Sequence, residues 1–150
     1  MKLKIFAIIF FLQLAFPRIA GAQVVINEIN PFEEWVELYN LGETQVSLDG
    51  CTLFLDASYD PQKVVFTLSD VFSGKFKVVT WGGNWLNNGG DTVKIQCPTE
   101  SDEISYGSNL NNKTFGRSPD GTGSFYVLES SSQGSANSNP QTSPSPTPTS

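Results

Sequence analysis

Between Gln23 and Leu128 the apolar residues fall in short runs broken by turn-forming residues, and no long stretch repeats them at helical spacing. The segment "EWVELYN" alternates most clearly. As a strand it puts Val36, Leu38 and Asn40 on one face and Trp35, Glu37 and Tyr39 on the other. "QVVINEI" precedes it. "TQVSL", "CTLFLD", "KVVFTL", "KFKVVTW", "DTVKIQC", "DEISYG", "KTFGR" and "SFYVLE" follow. Turn chemistry separates most of these runs: "NLGE", "LDGC", "WGGNW", "NNGGD" and "SPDGTGS". So many short strands in one modest domain predict an all-β fold, an antiparallel β-sandwich of two sheets, with a small barrel as the alternative.

The two ends of the chain break this pattern. Residues 1–22 have the layout of an export signal: basic Lys2 and Lys4, the apolar run "IFAIIFFLQLAF", and small residues at Ala20–Ala22 for cleavage before Gln23. The apolar run is too short to span a bilayer, so no transmembrane span is expected in the mature form. No Cys follows Ala22, which argues against a lipoprotein anchor. Residues 129–150 are rich in Ser, Thr and Pro and hold no aromatic residue. They bury too little apolar surface to offset the entropy of ordering, and read as a disordered linker or tail open to O-glycosylation. The sandwich domain is therefore assigned to residues 23–128.

Charge and cysteine content follow from this division. The chain has nine basic and fifteen acidic residues, a net charge of −6. Cleavage removes Lys2, Lys4 and Arg18, leaving the mature chain more acidic still. Such a field repels phosphate backbones and argues against a nucleic-acid partner. Export places the protein outside the cytoplasm: secreted, periplasmic or on the cell surface. Disulfides persist there, and the two cysteines, Cys51 and Cys97, are expected to pair.

The candidate chemistry is sparse. The chain has no His, which removes the commonest general base, the usual Ser activator and the usual zinc ligand. "GGNWLNNGG" lacks the Lys and the helix pattern of a phosphate loop. Carboxylates remain, concentrated in "INEINPFEEWVELYN" as Glu28, Glu33, Glu34 and Glu37. Glu34 and Glu37 differ by an odd number on a strand, so they point to opposite faces and do not form a glycosidase pair. These acids are expected to face water or to hold a turn. Arg117 is expected to pair with Glu28 or Glu37 and pin the late "FGRSPDG" turn to the early strands. Calcium is the cofactor considered, at Asp56 and Asp60 of "DASYD" or at Asn87–Asp91. Trp81 and Trp85 flank glycines in "TWGGNWLNNGG" and form a candidate platform for a glycan or peptide, the other reading being a plug at the end of the sandwich. Asn112–Thr114 is a glycosylation sequon.

Several pieces, taken in order, resemble the lamin tail domain (LTD) family in its exported bacterial form. They are "VVINEINPFEEWVELYN", "VSLDGCTLFLD", "WLNNGGDTVKI", "SYGSN", "FGRSPDGTG" and "SSQGSAN" at Ser131–Asn137. Cys51 stands where the family has an aromatic residue, and Gln133 where its closing motif has Pro. The resemblance implies an immunoglobulin-like β-sandwich without catalytic machinery, an accessory module that displays, anchors or binds an extracellular or cell-surface protein or glycan. Two other functions are carried forward. One is an N-terminal accessory domain of a longer exported hydrolase or nuclease. The other is an independent calcium- or glycan-binding module.

Overall fold

A computed structural model describes residues 23–56, 61–108, 110–138 and 140. The export signal, Asp60 and the tail after Pro140 lie outside the described residues. The protein is all-β, with antiparallel sheets packed on one another and no helix among the described residues.

The strands are β1 (Val24–Asn30), β2 (Trp35–Asn40), β3 (Val46–Ser47), β4 (Thr52–Phe54), β5 (Lys63–Val65), β6 (Val71–Phe72), β7 (Phe76–Thr80), β8 (Gly90–Gln96), β9 (Ser101–Gly107), β10 (Phe115–Ser118) and β11 (Ser124–Val127). The short β6 has no apolar run of its own in the sequence and exists through its pairing with β3. One sheet has the order β11-β10-β1-β2-β7, and the other β5-β4-β8-β9. β3 and β6 form a separate small ribbon.

The period-two alternation of the sequence sorts the side chains onto faces. Val36 and Leu38 of β2 lie in the core cluster with Val24, Ile26 and Ile29 of β1. Leu53, Val93 and Ile95 meet them from the second sheet. Trp35, Glu37 and Tyr39 take the opposite, outer face of the first sheet. Burying these branched aliphatic side chains is the main favourable term, roughly 1.5–3 kcal/mol for each.

The pairing of β1 with β2 is interrupted at Asn27. Ile26 pairs with Leu38 and Glu28 with Glu37, so Asn27 is an extra residue, a β-bulge. The bulge lets Ile26 and Ile29 both reach the core although they are three residues apart. It also places Glu28 directly opposite Glu37 on the outer face.

Cys51 and Cys97 are bonded, with Cα atoms 4.0 Å apart and a sequence separation of 46. They flank the paired residues Thr52 and Gln96 at one end of β4 and β8. A bridge closing a loop of this size contributes about 4 kcal/mol on the chain-entropy account.

Candidate functional site

Of the four acids in the opening stretch, Glu33 is exposed and Glu34 partly so, but the other two do not face water. Glu28 and Glu37 are fully buried, and Asn27 with them. The cover is the chain segment after Leu128, which crosses the outer face of the first sheet. Ser132 Oγ donates to Glu28 Oε2 at 2.7 Å, and the Ser132 N–H approaches Glu28 Oε1 at 3.3 Å. The Gly134 N–H donates to Glu37 Oε2 at 2.6 Å. Asn137 Nδ2 donates to the carbonyls of Asn27 (3.1 Å) and Arg117 (2.8 Å), and its N–H donates to Asp120 Oδ1 at 3.0 Å.

Asn27 is the hub beneath this strap, because its bulge turns the side chain toward the "SPDG" turn. Its Nδ2 donates to Glu37 Oε1 at 2.9 Å and to Asp120 Oδ1 at 3.0 Å. Its Oδ1 accepts the Gly121 N–H at 2.9 Å. Gly116 of β10 admits the strap. A Cβ there would stand 2.8 Å from Asn137 Nδ2 and 2.7 Å from Leu128 Cδ1, closer than carbon atoms pack.

The electrostatics match this burial. The Glu37 carboxyl is pushed up to about 7, chiefly by burial and further by the nearby charges of Glu28 and Asp120. The hydrogen bonds from Asn27 and Gly134 pull the other way.

Two expectations are corrected here. The folded domain does not stop at Leu128. Residues 129–138 belong to it, held by polar bonds rather than by apolar burial, and Leu128 bridges to Pro140. Arg117 does not pair with Glu28 or Glu37. Glu28 pairs across with Gly116, so the next residue, Arg117, points to the inner face of the sheet, away from both glutamates. Its Nη2 instead meets both oxygens of Asp102, at 2.9 and 3.0 Å. Its Nε donates to the Ile26 carbonyl and its Nη1 to the Gly123 carbonyl. Its guanidinium also lies over the Phe125 ring, 4.6 Å from the centroid. Asp102 accepts the Ile26 N–H as well, at 2.8 Å. Arg117 does pin the late turn to β1, through backbone carbonyls and an aspartate of the other sheet.

The Trp pair forms a second constellation. Trp81 and Trp85 stack with centroids 5.8 Å apart and planes 7° from parallel. Glu34, held at a left-handed φ of 59° in the β1–β2 turn, fixes the stack from below. Its Oε2 accepts from Trp81 Nε1 (2.8 Å), the Trp85 N–H (2.8 Å) and the Leu86 N–H (3.2 Å). Both indoles are half-buried and pack on the core. Phe72 is in the core itself, and Phe76 meets Tyr39 edge-on. Glu33 turns back onto Asn30 and Trp35 Nε1.

The "NNGGD" turn is closed by its own groups. Asn87 Oδ1 accepts the Gly89 N–H, Asp91 Oδ1 accepts the Thr92 N–H, and the Asn87 carbonyl accepts from Tyr106 Oη and the Gly90 N–H. Among the described residues no three acidic or sulfur side chains converge as a metal-binding group. In the sequon, Asn112 is exposed at positive φ and Thr114 is buried.

Asn27, Asp102, Asp120, Ser132, Gly134 and Asn137 were not marked as interacting residues by the pattern of the chain. The one advance signal was "SSQGSAN", whose resemblance to a closing motif spans Ser132, Gly134 and Asn137 although the domain was assigned to end at Leu128. The architecture defines the class as an antiparallel all-β protein in which buried Asn27, Glu28 and Glu37 are bonded beneath a polar strap. No protein-family model, curated protein or solved structure matches the chain.

Proposed function

We propose that this is an exported, non-catalytic module of the lamin-tail, immunoglobulin-like kind that holds and displays a tethered segment or partner outside the cytoplasm. The observation that carries the reading is the strap. The buried acids Glu28 and Glu37 are bound by Ser132 and Gly134. They thereby fasten the root of the Ser/Thr/Pro-rich tail into the sheet. Carboxylates occupied in this way are structural anchors, and the chain has no His to serve as a base beside them. The disulfide supports an oxidising compartment.

The test is to isolate the mature protein from its native source, weigh it intact before and after reduction, and assay it on polysaccharide, peptide and nucleic-acid substrates. The expected result is no turnover, with a gain of about two hydrogen masses on reduction. Turnover by the purified chain that Glu37→Gln abolishes would overturn the non-catalytic reading. A mass far above that of the chain, with hydrolysis by the extra portion, would favour an accessory domain of a longer hydrolase or nuclease.

The Trp81–Trp85 stack favours a second reading, a glycan-binding module in which a sugar ring lies on an indole face. A saturable shift of Trp fluorescence with a soluble glycan would support it.

A further inference from the structure

Two observations meet at Gln23. The export signal of residues 1–22 has its cleavage position just before it, and the described fold begins with it. The Gln23 backbone is held from two directions. Its carbonyl accepts the Leu41 N–H at 2.8 Å, which continues the pairing of β1 with β2. Its nitrogen donates to Glu100 Oε2 at 2.7 Å, reaching across to the second sheet. A neutral N–H commonly sits about 2.9–3.0 Å from its acceptor, and a charged one about 2.7–2.9 Å. The Gln23–Glu100 contact therefore has the spacing of a charged pair. Glu100 also closes the turn between β8 and β9. Its carbonyl accepts the Cys97 N–H at 2.8 Å, and Cys97 is bonded to Cys51. Glu100 is half-buried and forms no ion pair among the described residues.

We propose that the β8–β9 turn is a maturation lock, in which the α-ammonium that signal cleavage creates on Gln23 pairs with Glu100 and ties the start of β1 to the disulfide-closed turn. The inference rests on the reading of the chain as exported. Hydrolysis of the Ala22–Gln23 bond consumes one water, leaves a carboxylate on Ala22 and turns the Gln23 amide nitrogen into an ammonium. The new charge appears where a carboxylate already accepts from that nitrogen, so the pair forms without rearrangement. Oxidation of Cys51 with Cys97 also belongs to the exported state. Cleavage and oxidation thus tighten the same corner, and the cytoplasmic precursor has neither. The pair has a chemical consequence as well. An N-terminal Gln closes to a lactam when its neutral amine attacks Cδ of its own side chain and displaces ammonia. Glu100 holds the amine protonated, without the lone pair that attack requires. The side-chain amide is placed too, lying against Gly42, where a Cβ would stand 2.6 Å from Gln23 Nε2.

The test begins with N-terminal sequencing of the native protein, for which Gln23 is the expected first residue. Three forms of the mature chain are then melted: one starting at Gln23, one starting at Ala22, and one whose Gln23 has been closed to the lactam by glutaminyl cyclase. The second moves the ammonium one residue out, about 3.8 Å, and the third removes its charge. The chain starting at Gln23 should melt about 3 °C above the other two. In a Glu100→Gln background this advantage should disappear. Spontaneous lactam formation, followed by the mass lost as ammonia, should run about fivefold faster in Glu100→Gln than in wild type. An advantage equally large in both backgrounds, or ring closure at the same rate in both, would overturn the proposal. With Gln23 confirmed as the first residue, such a result removes this inference alone. A native protein that keeps residues 1–22 removes the export reading together with it.

Discussion

Glu28 and Glu37 face each other across β1 and β2, both fully buried, and neither forms an ion pair among the described residues. Like charges in directly opposed strand positions destabilise a sheet. The strap resolves the conflict by supplying a hydroxyl and backbone N–H groups, and burial resolves it further by favouring a protonated Glu37.

Stability should therefore fall as pH rises toward neutrality. The folded-state value of Glu37, about 7, lies above its ordinary 4.5. The native state thus holds a proton that the unfolded chain releases between these two values. The stabilisation is fully present below pH 4.5 and is lost as pH rises through 7. Melting curves of wild type and Glu37→Gln across this window check the prediction. The difference between them should shrink or change sign with rising pH, and parallel curves would refute it.

Residues 129–138 should behave as part of the fold. Asn137→Ala deprives the Asn27 and Arg117 carbonyls of their donor and is expected to cost about 1–3 kcal/mol. A chain ending after Leu128 should melt well below one ending after Pro140. Equal melting of the two would return the boundary to Leu128.

Arg117 and Asp102 should be energetically coupled. Arg117→Ala leaves a mostly buried carboxylate without its cation and is expected to cost roughly 3 kcal/mol. Arg117→Lys should rescue little, because one ammonium cannot replace donors aimed separately at Ile26, Gly123 and Asp102. A double-mutant cycle with Asp102→Ala measures the coupling. A cycle pairing Arg117 with Glu37 should show much less, since those side chains lie on opposite faces of the sheet.

Glu34 should control the Trp stack. Glu34→Ala removes the acceptor shared by Trp81 Nε1 and two backbone N–H groups. Red-shifted Trp emission and faster amide exchange at Trp85 and Leu86 are expected, with the core strands unaffected. Unchanged emission would mean that packing alone holds the indoles.

Much of the fold is legible in the chain because strand alternation is a local property. The faces of β2 follow from "EWVELYN", and Val36 and Leu38 are in the core as that pattern requires. Ten of the strands fall on the short runs of the sequence to within a residue, and two cysteines leave one pairing to expect. The bulge at Asn27 was not legible, since nothing local marks it and it exists only in register with β2. Composition misplaced the end of the domain. It reports apolar burial, whereas Ser132, Gly134 and Asn137 are ordered by polar partners about a hundred residues away, |i−j| of 104, 97 and 110. The partner of Arg117 was hidden for a related reason. The sequence by itself determined strand faces and which two cysteines pair. Tertiary structure alone decided which buried acid meets which donor, because those choices depend on how sheets and strap stack, and no local period encodes that.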